Sequence, residues 1–215
     1  QINQRFRFGV DVALSAIPRN DRVYVGNDEV VGERLWNLEE TVGVLASWHA
    51  LPSLDISGSS YLSLNIFRPT KDTSPDFLTP GRGLTVQTSG EIKFTRNGFA
   101  TTTTALQGTR IGWSEIGYRD RTAAAPETTF LKYTGEFLKQ FYLGSFTKAA
   151  VSAGYYGGHG LDRFSRYQPS FLSRPRIRGI PSGTDAFDAV GVVGALYGFN
   201  VLDVVKVEGM YNQAW

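Results

Sequence analysis

The chain of 215 residues contains no cysteine. A disulfide scaffold and a thiolate metal site are thereby excluded, while the compartment stays open. Histidine is almost missing as well. His49 and His159 are the only two, and they lie too far apart for metal-ligand spacing. No apolar run approaches the ~20 residues that a membrane-spanning helix needs. The net charge is only +2, which leaves no footprint for nucleic acid as a partner. No phosphate-cradling Gly-Lys-Ser/Thr motif is present, and no cofactor is expected. Serines are numerous enough to draw a Ser–His–Asp arrangement at will, so that pattern carries no weight. His49 falls on the face of Gly43 and Ser47 and reads as a lumen residue rather than a base, and the chain is not expected to be an enzyme. Gln1 has no charged-then-apolar leader behind it, so the sequence reads as mature or as a window cut from something longer.

What is present points to strands. Aromatic residues make up 13% of the chain and glycines number 24, a mixture that suits strands and tight turns. From Arg5 to Leu14, Phe6, Phe8, Val10, Val12 and Leu14 alternate with Arg5, Arg7, Gly9, Asp11 and Ala13. A helix would scatter both sets. Pro18 places a turn over 15–21, a short strand starts at Arg22, and a polar stretch runs from Gly26 to Asn37. Residues 40–51 form the next strand, broken at Pro52-Ser53, with its partner over 54–67. Residues 68–83 hold Pro69, Pro75 and Pro80 and form a loop.

Residues 84–95 alternate again, and Arg96-Asn97-Gly98 is a hairpin turn, since Asn-Gly accepts the positive φ of tight turns. The return strand runs through Thr101–Thr104 to about Tyr118. A further pair spans 128–140 and 145–156. Short connections near 15–21, 52–53, 96–98, 141–144 and 199–202 therefore alternate with long ones near 27–38, 68–83, 119–127 and 158–186. Long loops gathered at one end, with strands of at least the ~9–11 residues of a tilted membrane crossing, fit a transmembrane barrel. Charged residues such as Glu91, Lys93, Lys132 and Glu136 then face a wet lumen. The tryptophans and several tyrosines fall near strand ends, where aromatic girdles occur. The expected fold is all-β, an antiparallel transmembrane β-barrel built as one domain over 1–215, with about ten strands present.

The last third carries the motifs. In order they are Asp162-Arg163-Phe164, Ile177-Arg178-Gly179-Ile180, and Val207-Glu208-Gly209 on the strand that ends at Trp215. This order resembles the bacterial surface antigen barrel, the barrel half of outer-membrane insertases and two-partner secretion pores. Ile180 stands where that family usually has an aromatic, and Glu208 where aspartate is commoner. The resemblance implies a sixteen-stranded barrel in the bacterial outer membrane, of which this chain is a central-to-late part. It implies a loop over about 158–186 folded into the lumen and gating it, with Ile177, Arg178 and Gly179 as its motif and Arg178 paired with Glu208. It also implies insertion or translocation of a polypeptide substrate, with outer-membrane lipid, periplasmic modules or lipoproteins as partners.

Residue chemistry supports that pair separately. Glu208 shares a face with Lys206 and opposes Val205, Val207 and Tyr211, so lipid outside puts Glu208 inside. An Arg–carboxylate contact can be bidentate, and Gly179 allows a tight turn beside it. Two other readings stay open: a passive pore or an anchor for an exported domain, and a soluble β-sandwich binding module. Gly157-Gly158-His159-Gly160-Leu161-Asp162 also matches one calcium-binding β-helix nonapeptide, but a single copy cannot build a site from stacked repeats.

Overall fold

The structure is a computed structural model that describes residues 5–20, 23–25, 28–30, 34–120, 123–144, 147–162, 165–167, 187–201 and 205–214. Among the described residues thirteen strands form: β1 (Phe6–Asn20), β2 (Val23–Val25), β3 (Asp28–Val30), β4 (Arg34–Leu51), β5 (Leu54–Pro69), β6 (Phe77–Leu78), β7 (Arg82–Arg96), β8 (Phe99–Ile111), β9 (Gly117–Tyr118), β10 (Thr129–Tyr142), β11 (Thr147–His159), β12 (Ala189–Val201) and β13 (Val205–Ala214). Nine of them make one antiparallel sheet in the order β1-β4-β5-β7-β8-β10-β11-β12-β13. The remaining four pair off as β2-β3 and β6-β9. No helix occurs among the described residues. The chain is all-β, built on a large antiparallel sheet.

The strands are long. β4 has 18 residues, β5 16, β1 and β7 15 each, against ~5–6 for an ordinary globular strand. Connections at 52–53, 97–98, 143–146 and 202–204 are short, and those at 21–33, 70–81, 112–128 and 160–188 are long. Because neighbours are antiparallel, all the long connections leave from one end. Asn97 and Gly98 make the tightest turn with φ of 49° and 71°, the pair of positive values that a type I′ hairpin demands.

Several expected boundaries move. In place of the turn expected over 15–21, β1 continues through Pro18 to Asn20, and the short strand expected from Arg22 is found as β2. An edge strand has one side with no ladder to interrupt, so proline is tolerated there. Residues 34–37, expected within a polar stretch, begin β4 instead. The return strand ends at Ile111 rather than near Tyr118, which belongs to β9. Among the described residues the main sheet has nine strands, where the sequence leads to about ten in the chain. Among the described residues β1 and β13 each pair on one side only, so the sheet is open there.

The two faces of the sheet differ in chemistry, most sharply on β1, while the row through Val44 passes to Ser60 and Thr88. On one face lie Phe6, Phe8, Val10, Val12 and Leu14 of β1, which register with Trp48, Ala46, Val44, Val42 and Glu40 of β4. Leu62, Val86 and Ile92 continue the same rows on β5 and β7. These side chains are exposed, Val12 by 76% and Phe8 by 67%. Toward the short turns this face carries an edge-to-face row, Phe94 on Phe99 at 5.8 Å and Phe99 on Phe137 at 5.4 Å. Arg82 and Arg96 sit at strand termini, and Lys139 turns its amine to the Asn97 carbonyl in the turn, 3.1 Å away. Such a long stem lies over apolar surface while its charge leaves it.

The other face is polar and partly covered. Hydroxyls and amides pair across strands: Asn37 Nδ2 donates to Asn65 Oδ1 at 3.2 Å, Thr41 meets Ser63 at 3.1 Å, and Ser59 meets Ser89 at 2.7 Å. At the end with the long connections, two buried clusters sit on this face. One joins Leu35 and Phe67 of the sheet to Phe77 and Ile116 of the connections, with Trp113 and Tyr118 packed against it. The other joins Tyr156 and Val190 to Tyr167, with Leu161 and Val192 alongside. The connections thus fold back over the polar face.

Candidate functional site

A buried ion pair on the polar face lies where β8, β10 and β11 meet the segment that follows β11. Its setting begins with a glycine. Gly108 faces Phe130 across the strands, and a Cβ at Gly108 would overlap the Phe130 ring. Without that Cβ the ring lies over the backbone and becomes a floor for the guanidinium of Arg110, 4.2 Å from the ring centroid. Arg110 is only 4% exposed. Trp113 stands on its other flank at 5.9 Å.

Both terminal nitrogens of Arg110 are engaged by the chain. Nη1 donates to the Glu127 carbonyl at 2.7 Å and to the Gly160 carbonyl at 3.0 Å. Nη2 donates to Asp162 Oδ2 and to Ser165 Oγ, the latter at 3.3 Å. Asp162 is itself buried and accepts from the Ser165 amide at 3.1 Å and from its hydroxyl at 2.7 Å. Gly160 makes the approach possible. Its φ is 65°, a region that suits glycine, and a Cβ there would strike the Thr129 carbonyl. Removing one partner of such a buried ion pair costs ~3–5 kcal/mol, because it strands the other charge.

Two more side chains hold the same segment. Lys132 Nζ donates to the Ser165 carbonyl at 2.7 Å and lies 4.4 Å from the Tyr167 ring centroid. Tyr167 packs edge-to-face on Tyr156 at 5.7 Å, and its hydroxyl reaches the Tyr133 and Gly157 carbonyls, each at 3.3 Å. Burial first, then the nearby Tyr133 hydroxyl, pushes the Tyr167 hydroxyl up to about 12. Tyr156 donates to Glu136 Oε1 at 2.6 Å. The backbone of Tyr167 exchanges two hydrogen bonds with Phe187, both 2.9 Å. The arrangement is a clasp: cations rooted in the sheet hold carbonyls and a carboxylate of the returning segment.

Of the residues singled out by the motifs, Ile177, Arg178 and Gly179 lie outside the described residues, as do Arg163 and Phe164. Glu208 lies on β13 with its Cα opposite Gly198, in the row that continues to Lys148 on β11. Its pairing with Arg178 therefore also lies outside the described residues. Asp162 is brought to the clasp, and Gly157, Gly158 and His159 are strand residues of β11. His49 pairs with Asp55 across the β4–β5 turn, both side chains nearly half exposed. Among the described residues no group of His, Asp or Glu could hold a metal ion.

Sequence reasoning missed Arg110. Alternation places it on the polar face, but its partner Asp162 is 52 positions away, and only the strand order brings them together. No protein-family model matches the chain, and no curated protein matches it either.

Proposed function

We propose that this chain is part of a closed outer-membrane β-barrel that inserts or translocates polypeptides, with the connection after β11 folded into its lumen as a gate. The observation that carries this reading is the inversion of the two faces. Phe6, Phe8, Val10, Val12 and Leu14 stand exposed over roughly 26 Å of strand at ~3.3 Å per residue, close to the ~25 Å apolar band of such barrels. The buried charge, Arg110 with Asp162, is on the opposite face. In water that distribution forgoes ~1.5–3 kcal/mol for each large apolar side chain left out. In lipid it is the favourable one.

The strand count supports closure through further strands. With nine alternating strands, β1 and β13 run the same way, so an all-antiparallel ring needs an odd number more. A sixteen-stranded whole less these nine leaves seven, which satisfies that parity, and bilayer-spanning barrels tolerate no bare edge. The surface antigen resemblance supplies the polypeptide substrate and the role of Arg178, with Ile177 and Gly179 beside it in the motif and Glu208 as its partner.

The test uses the full-length gene product. Fractionation places it in the outer membrane, and its gel mobility shifts between unboiled and boiled samples. A soluble protein with no shift contradicts the proposal. Given a shift, Arg178→Ala lowers insertion or transport more than it lowers barrel abundance, and unchanged activity removes Arg178 from the mechanism.

A further inference from the structure

We propose that Arg110 couples two loop systems, so that unseating the segment after β11 also loosens the connection between β8 and β10. The two systems leave the sheet from different strand pairs, yet one guanidinium holds both. Nη1 binds Glu127 of the 112–128 connection and Gly160 of the 160–188 connection, while Nη2 holds Asp162 and Ser165 of the latter. Trp113, beside the guanidinium, belongs to the 112–128 connection. It packs on Phe67 at 5.4 Å and against the Leu35, Phe77 and Ile116 cluster, and its indole nitrogen donates to the Leu84 carbonyl at 3.2 Å.

The physical reason for coupling is burial. A guanidinium this deeply enclosed is tolerated because Asp162 offsets its charge. When the segment bearing Asp162 leaves, the cation follows it or turns to water, and either movement drops the Glu127 carbonyl and withdraws support from Trp113. The clasp has two states, seated and unseated, and both connections read the same state. Lys132 differs: it holds the Ser165 carbonyl and the Tyr167 ring, which belong to one system. The proposal rests on the lumen reading for its consequence, a concerted opening at the end with the long loops, but its test is independent of any transport assay.

Amide hydrogen exchange on the full chain in detergent micelles reads both systems. The amides of Tyr167 and Phe187 report the segment after β11, and those of Ile116 and Ala124, bonded to each other's carbonyls at 3.0 and 3.2 Å, report the other. Asp162→Asn raises exchange at Tyr167 and Phe187 by on the order of 100-fold and raises it at Ile116 and Ala124 as well. Lys132→Met speeds only Tyr167 and Phe187. Native rates at Ile116 and Ala124 in Asp162→Asn overturn the coupling, as do native rates at all four amides. Equal loosening of both systems by Lys132→Met overturns Arg110 as the coupler. Should Asp162→Asn fail to fold, Arg110→Lys, whose ammonium cannot span the same acceptors, is read against the same outcomes. A failed coupling leaves the transport proposal standing, and a failed transport assay leaves these rates interpretable.

Discussion

The two faces of the nine-stranded sheet share one backbone and one register, yet they follow opposite solvent rules. Val44 is 43% exposed on the apolar face. In the adjacent register row, Gly43 opposite Tyr61 on the polar face is enclosed by the Tyr61 ring. Arg110 and Asp162 are more deeply buried than any of Phe6, Phe8, Val10 or Val12. The lesson is that burial here follows where the connections fold rather than where the apolar residues are. The connections cover the polar face at one end, and the long apolar rows of β1 are left exposed.

A charge on the apolar face breaks this contrast most visibly. Val44→Arg costs ~2–4 kcal/mol of unfolding free energy in lipid vesicles, as for a cation facing the bilayer midplane. Ser57→Arg, on the polar face opposite Glu91, stays within ~0.5 kcal/mol. Denaturant titration of both variants in vesicles checks the pair, and equal small effects would mean that neither face meets lipid.

Much of this contrast is legible in the sequence, and some of it is not. Alternation in β1, β7 and β10 separates the two faces on its own, because a period of two needs no knowledge of partners. The Asn97-Gly98 turn is readable for the same local reason. Pro18 misleads: it reads as a turn in isolation, and only the edge position of β1 explains its tolerance. Residues 34–37 mislead through polarity, because Asn37 is buried by pairing with Asn65, a strand away. Alternation assigns Arg110 to the correct face, but its clasp requires knowing that β8, β10 and β11 are neighbours. Non-local contacts of this kind have no short-range signal.

The polar face can be sharpened next. Gly108→Ala puts a methyl into the Phe130 ring and shifts the floor under Arg110, at a cost of ~1–3 kcal/mol. Exchange at the Tyr167 amide rises in that variant, and an unchanged rate would separate the Phe130 floor from the clasp.

The smallest effect concerns pH. Tyr167 titrates at about 12 in the folded state against 10.0 for a free phenol. A raised phenol means the neutral form is favoured when the segment is seated. The seated state therefore binds more protons than the released one between pH 10 and about 12, and its stability falls as pH rises through that window. Phenolate absorbance shows a late-titrating component that shrinks in Tyr167→Phe. A wild-type titration with no late component would place Tyr167 in water.

Residues 1–215 contain no cysteine, so once any cysteine elsewhere in the full-length protein is replaced the central claim is directly measurable. Single cysteines placed in turn at 41–48 on β4, in the full-length protein embedded in vesicles, are exposed to a water-soluble maleimide. The account predicts that cysteines at the Leu45 and Ser47 positions react and that those at Val42, Val44, Ala46 and Trp48 are protected, while Gly43, enclosed by the Tyr61 ring, is left out of the comparison. Labelling at Val42 and Val44 as fast as at Ser47 would contradict it, and the apolar face would then belong to water or to a protein partner.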